Sequence, residues 1–116
     1  MISIDLQSRI PIYEQLYKKI VELVIKGALV ENQQIPSVRS LAKELGVNPN
    51  TVAKAYQELE RDKIIYSLSG RGSFIASVKD SEIKDYVLSD FDNSVREAIK
   101  AGIKKKELKD RIDSIE

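Results

Sequence analysis

The stretch Ile35–Ile75 constrains the fold more than any other part of this 116-residue chain. Two segments of helical periodicity are separated by a single glycine, Gly46. Each segment follows a residue suited to a helix N-terminus, Ser37 in the first and Asn48 in the second. Two short runs of β-forming residues come next, joined by Ser-Gly-Arg-Gly at 69–72. We therefore predict two short helices with a tight turn between them, followed by a β-hairpin.

Both predicted helices have one apolar face. The expected buried residues are Val38, Leu41, Ala42 and Leu45 in the first helix and Val52, Ala55, Tyr56 and Leu59 in the second. The residues expected to face outward on the second helix are Pro49, Asn50, Ala53, Lys54 and Gln57. A helix whose other face is polar and open can contact a partner outside its own domain.

A longer helical pattern precedes this stretch. Apolar residues at three- and four-residue steps predict a helix over 11–26, with Pro11 at its first position and Gly27 as its stop. Alternation in residues 2–6 indicates a short strand or an extended arm. Residues 29–35 are predicted to be a polar connector.

The character of the chain changes after Ser77. Apolar residues at helical spacing continue to Gly102, and a shorter helical pattern follows to the end. This tail is too small to form a core of its own. Its apolar residues must pack on the preceding domain or on a second copy of the tail. We predict one domain over 1–78 and a two-helix dimerisation tail over 79–116. The residues predicted to form the dimer contact are Ile83, Val87, Phe91, Val95 and Ile99.

Composition excludes several classes of chemistry. The chain has no cysteine and no histidine, which rules out disulfides, thiol catalysis and the usual transition-metal ligand sets. We expect no cofactor, no metal ion and no enzymatic activity. Neither a signal peptide nor an apolar run of about 20 residues is apparent, so we expect a cytoplasmic protein without a membrane partner.

Helix–turn–helix followed by a glycine-tipped hairpin is the arrangement of a winged-helix DNA-binding domain. The expected fold class is therefore mainly α with a small β-hairpin, ending in a short helical dimerisation tail. The first turn of the second helix of such a motif faces base edges in the major groove. Here it carries Asn50, which can pair with adenine, and Thr51, which can contact a thymine methyl or a phosphate.

Further residues complete the predicted DNA-binding set. Ser37 and the helix start behind it can hold a phosphate, and Arg39 is placed for a guanine or the backbone. Arg71 at the hairpin tip is placed for the minor groove or a phosphate. The full set is Ser37, Arg39, Asn48, Pro49, Asn50, Thr51, Lys54, Gly70, Arg71 and Gly72.

Simpler explanations exist for each of these residues. Ser37, Asn48 and Pro49 are ordinary helix-start residues, and a single surface Arg or Lys is usually only solvated. The net charge is only +1, divided as +3 over residues 1–79 and −2 over 80–116. Two alternatives therefore stay open: a winged helix that binds proteins without a specific DNA target, and a fragment of an enzyme.

Several motifs, in order, resemble the GntR family of bacterial transcription regulators. They are PIYEQ at 11–15, IPSVRSLA at 35–42, VNPNTV at 47–52, AYQELE at 55–60 and GRGSF at 70–74. The short two-helix tail further resembles the YtrA-type subfamily. The resemblance implies a cytoplasmic homodimer on an imperfect palindrome, often repressing its own operon, commonly one with genes for ATP-driven transporters. The resemblance does not decide whether the protein has a small-molecule effector.

The resemblance also implies residue roles. Arg39 corresponds to the family's base-contacting arginine, and Asn50 and Thr51 fall at its contact positions. Gly70 matches the glycine of the wing tip, with Arg71 beside it. Many members carry arginine where this chain has Pro49 and Ala53, so the preferred operator is expected to differ from the family's guanine-rich half-site.

Overall fold

The computed structural model describes residues 2–79 and 82–116 in full and residues 80 and 81 by their backbone. The chain divides into two compact units, the first ending at Asp80 and the second spanning Ser81–Glu116. No helix among these residues is both long enough and apolar enough to cross a membrane.

The first unit is a winged helix built around α3. Its elements are α1 (Ile12–Ile25), β1 (Gln34–Ile35), α2 (Val38–Leu45), α3 (Pro49–Arg61), β2 (Ile65–Leu68) and β3 (Gly72–Ile75). Helix α3 packs against both α1 and α2. The most deeply buried large side chains are Leu16, Ile20, Val21, Leu41, Val52, Leu59 and Ile75. The four core positions predicted on α3 are all buried; on α2, Leu41 and Ala42 are buried, whereas Val38 and Leu45 are half-buried.

The predicted helix starts on α2 and α3 are confirmed. The Ser37 Oγ accepts a hydrogen bond from the amide of Ser40 at 3.1 Å. The Asn48 Oδ1 accepts one from the amide of Asn50 at 2.8 Å, with Pro49 in the first turn. Gly46 ends α2 in the left-handed conformation, at φ +69°, which a residue without a Cβ adopts at low cost. These local preferences set the tight turn between the two helices.

The sheet contains one strand more than the predicted hairpin. Strands β2 and β3 pair as expected, from Ile65 opposite Ile75 to Leu68 opposite Gly72. Strand β1 adds to the other edge of β3 with Gln34 opposite Phe74, giving the order β1-β3-β2, all antiparallel. The prediction of a plain connector over 29–35 was therefore wrong at its last two residues. A two-residue strand is too short to show an alternating pattern, and its pairing partner lies far along the chain.

One smaller expectation differs. Pro11 is not the first helical residue but the N-cap, because its ψ of 144° is extended and α1 begins at Ile12. Of the two alternatives for residues 2–6, a short strand or an extended arm, the strand is not formed. The arm is held to α1 by Gln15, whose side chain accepts a hydrogen bond from the Asp5 amide at 2.8 Å and donates one to the Asp5 carbonyl at 3.0 Å. The glutamine replaces the strand partner that this segment lacks.

The second unit contains two helices, α4 (Asp80–Lys100) and α5 (Lys105–Ile115). The link between them includes Gly102 at φ +97°, where the sequence pattern predicted the break. Within this unit α4 and α5 enclose an apolar groove of about 210 Å³. Its lining consists of Phe91, Val95, Ile99, Lys105, Leu108, Lys109 and Ile112.

Candidate nucleic-acid interface

The front of α3, which we define as Pro49, Asn50, Lys54 and Gln57, is exposed. The opposite side of the same helix is closed against α1 and α2, where Val52, Ala55 and Leu59 have no exposed surface. Thr51 and Ala53 are half-buried at the border between the two sides. The cap described above uses the Asn48 side chain and the Asn50 amide, and it leaves the Asn50 side chain on the open surface. A hydrogen-bonding amide therefore stands at the start of a helix with one open face.

Lys54 has a partner that the sequence did not reveal. Its Nζ lies 3.9 Å from the centroid of the Tyr13 ring on α1. Ammonium groups at this distance over an aromatic face are held by about 0.5–1 kcal/mol at exposed sites. Tyr13 is half-buried, and its ring lies beneath the ammonium group of the α3 front.

The first turn of α2, a helix that packs against α3, carries Arg39. The side chain of Arg39 is exposed, and its guanidinium forms no hydrogen bond or ion pair with any described residue. Ser37 is exposed too, but its Oγ already accepts the capping hydrogen bond, so only its hydroxyl proton can serve a further acceptor. Arg39 is therefore the stronger candidate of the two for contact with an anionic ligand.

A part-buried hydrogen bond links α3 to Pro36, which precedes the N-cap of α2. The Tyr56 hydroxyl donates to the carbonyl oxygen of Pro36 at 2.6 Å, and the side chain is only 5% exposed. Burial raises the pKa of Tyr56 to about 12. A tyrosine hydroxyl is neutral at physiological pH in any case, and this one stays neutral further into the alkaline range. Its hydrogen bond ties α3 to the start of α2, where Ser37 and Arg39 lie.

The far end of α3 is tied to α1. The Tyr17 hydroxyl donates to Asp62 Oδ2 at 2.5 Å, and Arg61 Nε donates to Asp62 Oδ1 at 3.2 Å. The hydrogen bond from Arg61, assisted by that from Tyr17, lowers the pKa of the Asp62 carboxyl. The carboxylate form is thus favoured, and it holds α3 at the end opposite its open front.

The wing tip brings the three predicted residues Gly70, Arg71 and Gly72 into one turn. Arg71 is exposed, and its guanidinium has no hydrogen-bond or ion-pair partner among the described residues. Its backbone is held on both sides: the amide donates to the Leu68 carbonyl at 2.9 Å, and the carbonyl accepts from Gln34 Nε2 at 2.8 Å. Gln34 was missed by the sequence analysis, because its partner is 37 residues away and no local pattern marks it.

The predicted dimerisation residues all lie on α4 of the second unit. Ile83, near its start, is buried within the single chain at 3% exposure, so this structure does not offer it as a contact surface; the other four follow at four-residue spacing. Val87, Phe91 and Ile99 are 42–50% exposed, whereas Val95 is half-buried. Phe91, Val95 and Ile99 also line the groove shared with α5. The second unit therefore presents several exposed apolar side chains along one helix, beside an apolar groove.

A family model for "Bacterial regulatory proteins, gntR family" matches residues 12–75, more than half of the chain. The chain belongs to the GntR family. This family consists of transcription regulators, and the motifs predicted from the sequence lie almost entirely within the matched region.

Two relatives from Bacillus subtilis define its place in the GntR family. The HTH-type transcriptional repressor YtrA is 51% identical over 76 residues, covering 66% of this chain and 58% of YtrA. The chain thus matches little more than half the length of YtrA. The uncharacterized HTH-type transcriptional regulator YhcF is 33% identical over 105 residues, covering 88% of this chain and 87% of YhcF.

Solved structures share the fold. A GntR family transcriptional regulator from Listeria monocytogenes has a TM-score of 0.83 and 30% identity, covering 97% of this chain and 100% of that one. The AraR DNA-binding domain in complex with operator ORE1 has a TM-score of 0.56 and 29% identity. That match covers 63% of this chain and 89% of the AraR chain.

Proposed function

We propose that this GntR family member is a sequence-specific DNA-binding transcription repressor that acts as a homodimer on a palindromic operator. The observation that carries the proposal is the capped and exposed front of α3, with Asn50 at its start. Similarity to the YtrA repressor and to an AraR domain solved with its operator supports the same function.

In the proposed complex the front of α3 enters the major groove. Asn50 pairs with an adenine edge, and Thr51 contacts a thymine methyl or a phosphate. Arg39 from α2 contacts a guanine or the backbone, and Arg71 reaches the minor groove or a phosphate. The remaining residues of the proposed surface are Ser37, Asn48, Pro49, Lys54, Gly70 and Gly72. Three cations with exposed side chains, Arg39, Lys54 and Arg71, support the affinity for phosphates.

In this proposal residues 1–78 bind DNA, and the tail at 79–116 forms the dimer. A second copy of the tail is the proposed cover for the exposed apolar residues of α4 and for the groove beside α5. A two-fold symmetric dimer presents two copies of α3, which is why palindromic operators suit such proteins.

The DNA-binding part is tested by selection from a pool of random duplexes. We expect the wild-type protein to enrich an inverted repeat and to bind it at least about 10³-fold more tightly than a random duplex at the same salt concentration. Equal affinity for both duplexes would contradict the proposal and would favour a winged helix that binds proteins.

The dimer is tested by sedimentation at micromolar concentration. Phe91 is 45% exposed in the single chain, and a carboxylate in its place would be buried without a partner in the dimer. We therefore expect dimeric wild-type protein and a largely monomeric Phe91→Asp variant. Val30→Asp, at a residue 56% exposed on the winged helix, is the matched control and should remain dimeric. A monomeric wild-type protein would refute this part.

The resemblance to YtrA-type regulators supports a proposal for the regulated target. We propose a cytoplasmic repressor of its own operon, one that includes genes for an ATP-driven transporter. The test is the DNA upstream of the gene: the selected inverted repeat should occur there, and its removal should raise expression of a reporter. A selected repeat absent from that region would contradict autoregulation.

A further inference from the structure

The side chain of Gln34 on β1 makes a hydrogen bond to the wing turn that the pairing of the sheet does not require. Its backbone pairs with Phe74 in the sheet, while its side chain extends along the sheet edge to the wing turn. There Nε2 donates to the carbonyl oxygen of Arg71 at 2.8 Å. The residue is exposed, so the hydrogen bond is not required to satisfy a buried group.

The wing turn leaves space for this amide. Gly72 has φ +118°, and a Cβ placed on it would lie 2.7 Å from Gln34 Nε2. Any other residue at this position would displace the amide from Arg71 in addition to straining the backbone. A Cβ on Gly70, in contrast, would meet no atom within 4 Å. The two wing glycines thus differ, and only Gly72 is needed for the approach of Gln34.

The backbone of Arg71 is therefore restrained, whereas its guanidinium group is not. The Arg71 amide is bonded to the Leu68 carbonyl and the Arg71 carbonyl to Gln34, so both neighbouring peptide planes are held. The Arg71 guanidinium is exposed and has no partner among the described residues. Fixing the backbone of a side chain before it binds lowers the entropy cost of binding.

We propose that Gln34 is a positioning residue for DNA binding, which directs Arg71 of the wing tip toward acceptor oxygens of the duplex. The inference rests on the proposed function, because it requires that Arg71 contacts DNA. Gln34 itself need not touch the duplex: it acts through the carbonyl of Arg71. Its effect should therefore be present only while residue 71 is an arginine.

The test is a double-mutant cycle between Gln34 and Arg71, measured by fluorescence anisotropy on the duplex selected by the wild-type protein. Gln34→Met keeps the length of the side chain and removes the donor. Gln33→Met is the matched control, since the Gln33 side chain accepts from the Val30 amide and makes no hydrogen bond to the wing turn within the described part of the chain. Circular dichroism and thermal unfolding of every variant establish that the fold is retained.

We expect Gln34→Met to weaken binding roughly two- to tenfold, the change that corresponds to one net hydrogen bond. Arg71→Ala should weaken it at least as much and lower the slope of log K against log salt by about one. In the Arg71→Ala background, Gln34→Met should change affinity by less than about twofold. Gln34→Met alone should also lower the salt slope although it removes no charge, a result that a merely structural role would not produce.

Two results would overturn the inference and leave the proposed function standing. In the first, the wild-type protein selects a duplex and Arg71→Ala weakens binding to it, but Gln34→Met binds like wild type. The other is additive losses in the double variant, or an equal loss in Gln33→Met. A selected duplex whose affinity is unchanged by Arg71→Ala would also overturn it. A wild-type protein that selects no duplex would instead refute the proposed function, and the inference with it.

Discussion

Removal of the Tyr56 hydroxyl is expected to change how the stability of the protein depends on pH. The hydroxyl donates to the Pro36 carbonyl at 2.6 Å, and Tyr56→Phe deletes only this group. At pH 7 we expect the free energy of unfolding to fall by about 0.5–1.5 kcal/mol, the net contribution of one hydrogen bond, because the partly buried carbonyl loses its partner. Since Pro36 precedes the cap of α2, the same change loosens the packing between α2 and α3.

At alkaline pH the change in unfolding free energy can be calculated from the pKa of Tyr56. An unfolded tyrosine titrates near pH 10, whereas burial raises the pKa of folded Tyr56 to about 12. Between these values the unfolded chain releases its proton and the folded chain keeps it, so the free energy of unfolding decreases as pH rises. The decrease amounts to about 1 kcal/mol at pH 11 and to about 3 kcal/mol beyond pH 12. Tyr56→Phe has no such proton, so its stability lacks this decrease.

Urea unfolding followed by circular dichroism at pH 7, 9, 10 and 11 measures both effects. The difference in unfolding free energy between wild type and Tyr56→Phe should narrow by about 1 kcal/mol from pH 7 to pH 11. Comparing the two proteins at equal concentration cancels the titration of their other groups. Tyr66→Phe, which deletes a hydroxyl bonded to Asn32 at the sheet surface, controls for the loss of a tyrosine hydroxyl as such. A difference that stays constant with pH would refute the reasoning.

Two further predictions concern the DNA interface. Arg39→Ala should weaken binding to the selected duplex by about 1–3 kcal/mol and relax the base preference at one position per half-site. Equal losses of affinity on selected and random duplexes in anisotropy titrations would show that Arg39 does not contact a base. Tyr13→Leu should weaken DNA binding by up to about 1 kcal/mol, because Lys54 loses the aromatic face beneath its ammonium group. Tyr13→Phe keeps that face and should bind like wild type. If Tyr13→Leu has the same effect in a Lys54→Ala background, Tyr13 does not act through Lys54.

The helical part of the first unit follows from local sequence signals. Ser37, Gly46 and Asn48 set the ends of α2 and the start of α3 through contacts with residues two or three positions away, so their roles can be predicted from neighbours alone. The apolar periodicity of α3 likewise determines which side is closed and which is open. The hairpin could be predicted because its two strands are adjacent in sequence.

The features that the sequence did not predict depend on distant partners. Strand β1 is two residues long and becomes a strand only by pairing with Phe74 and Ser73. The contact of Gln34 with Arg71 spans 37 positions, and Tyr13 meets Lys54 only because α1 packs on α3. The candidate site could therefore be predicted as a set of exposed side chains, but the residues that hold those side chains in place could not.

A repeated duplex selection with Asn50→Ala tests whether the start of α3 contacts base edges in the major groove. We expect the adenine preference to disappear at one position of each half-site while the other positions are retained, and specific binding to weaken by about 1–3 kcal/mol. Recovery of the same sequences with unchanged affinity would contradict this expectation.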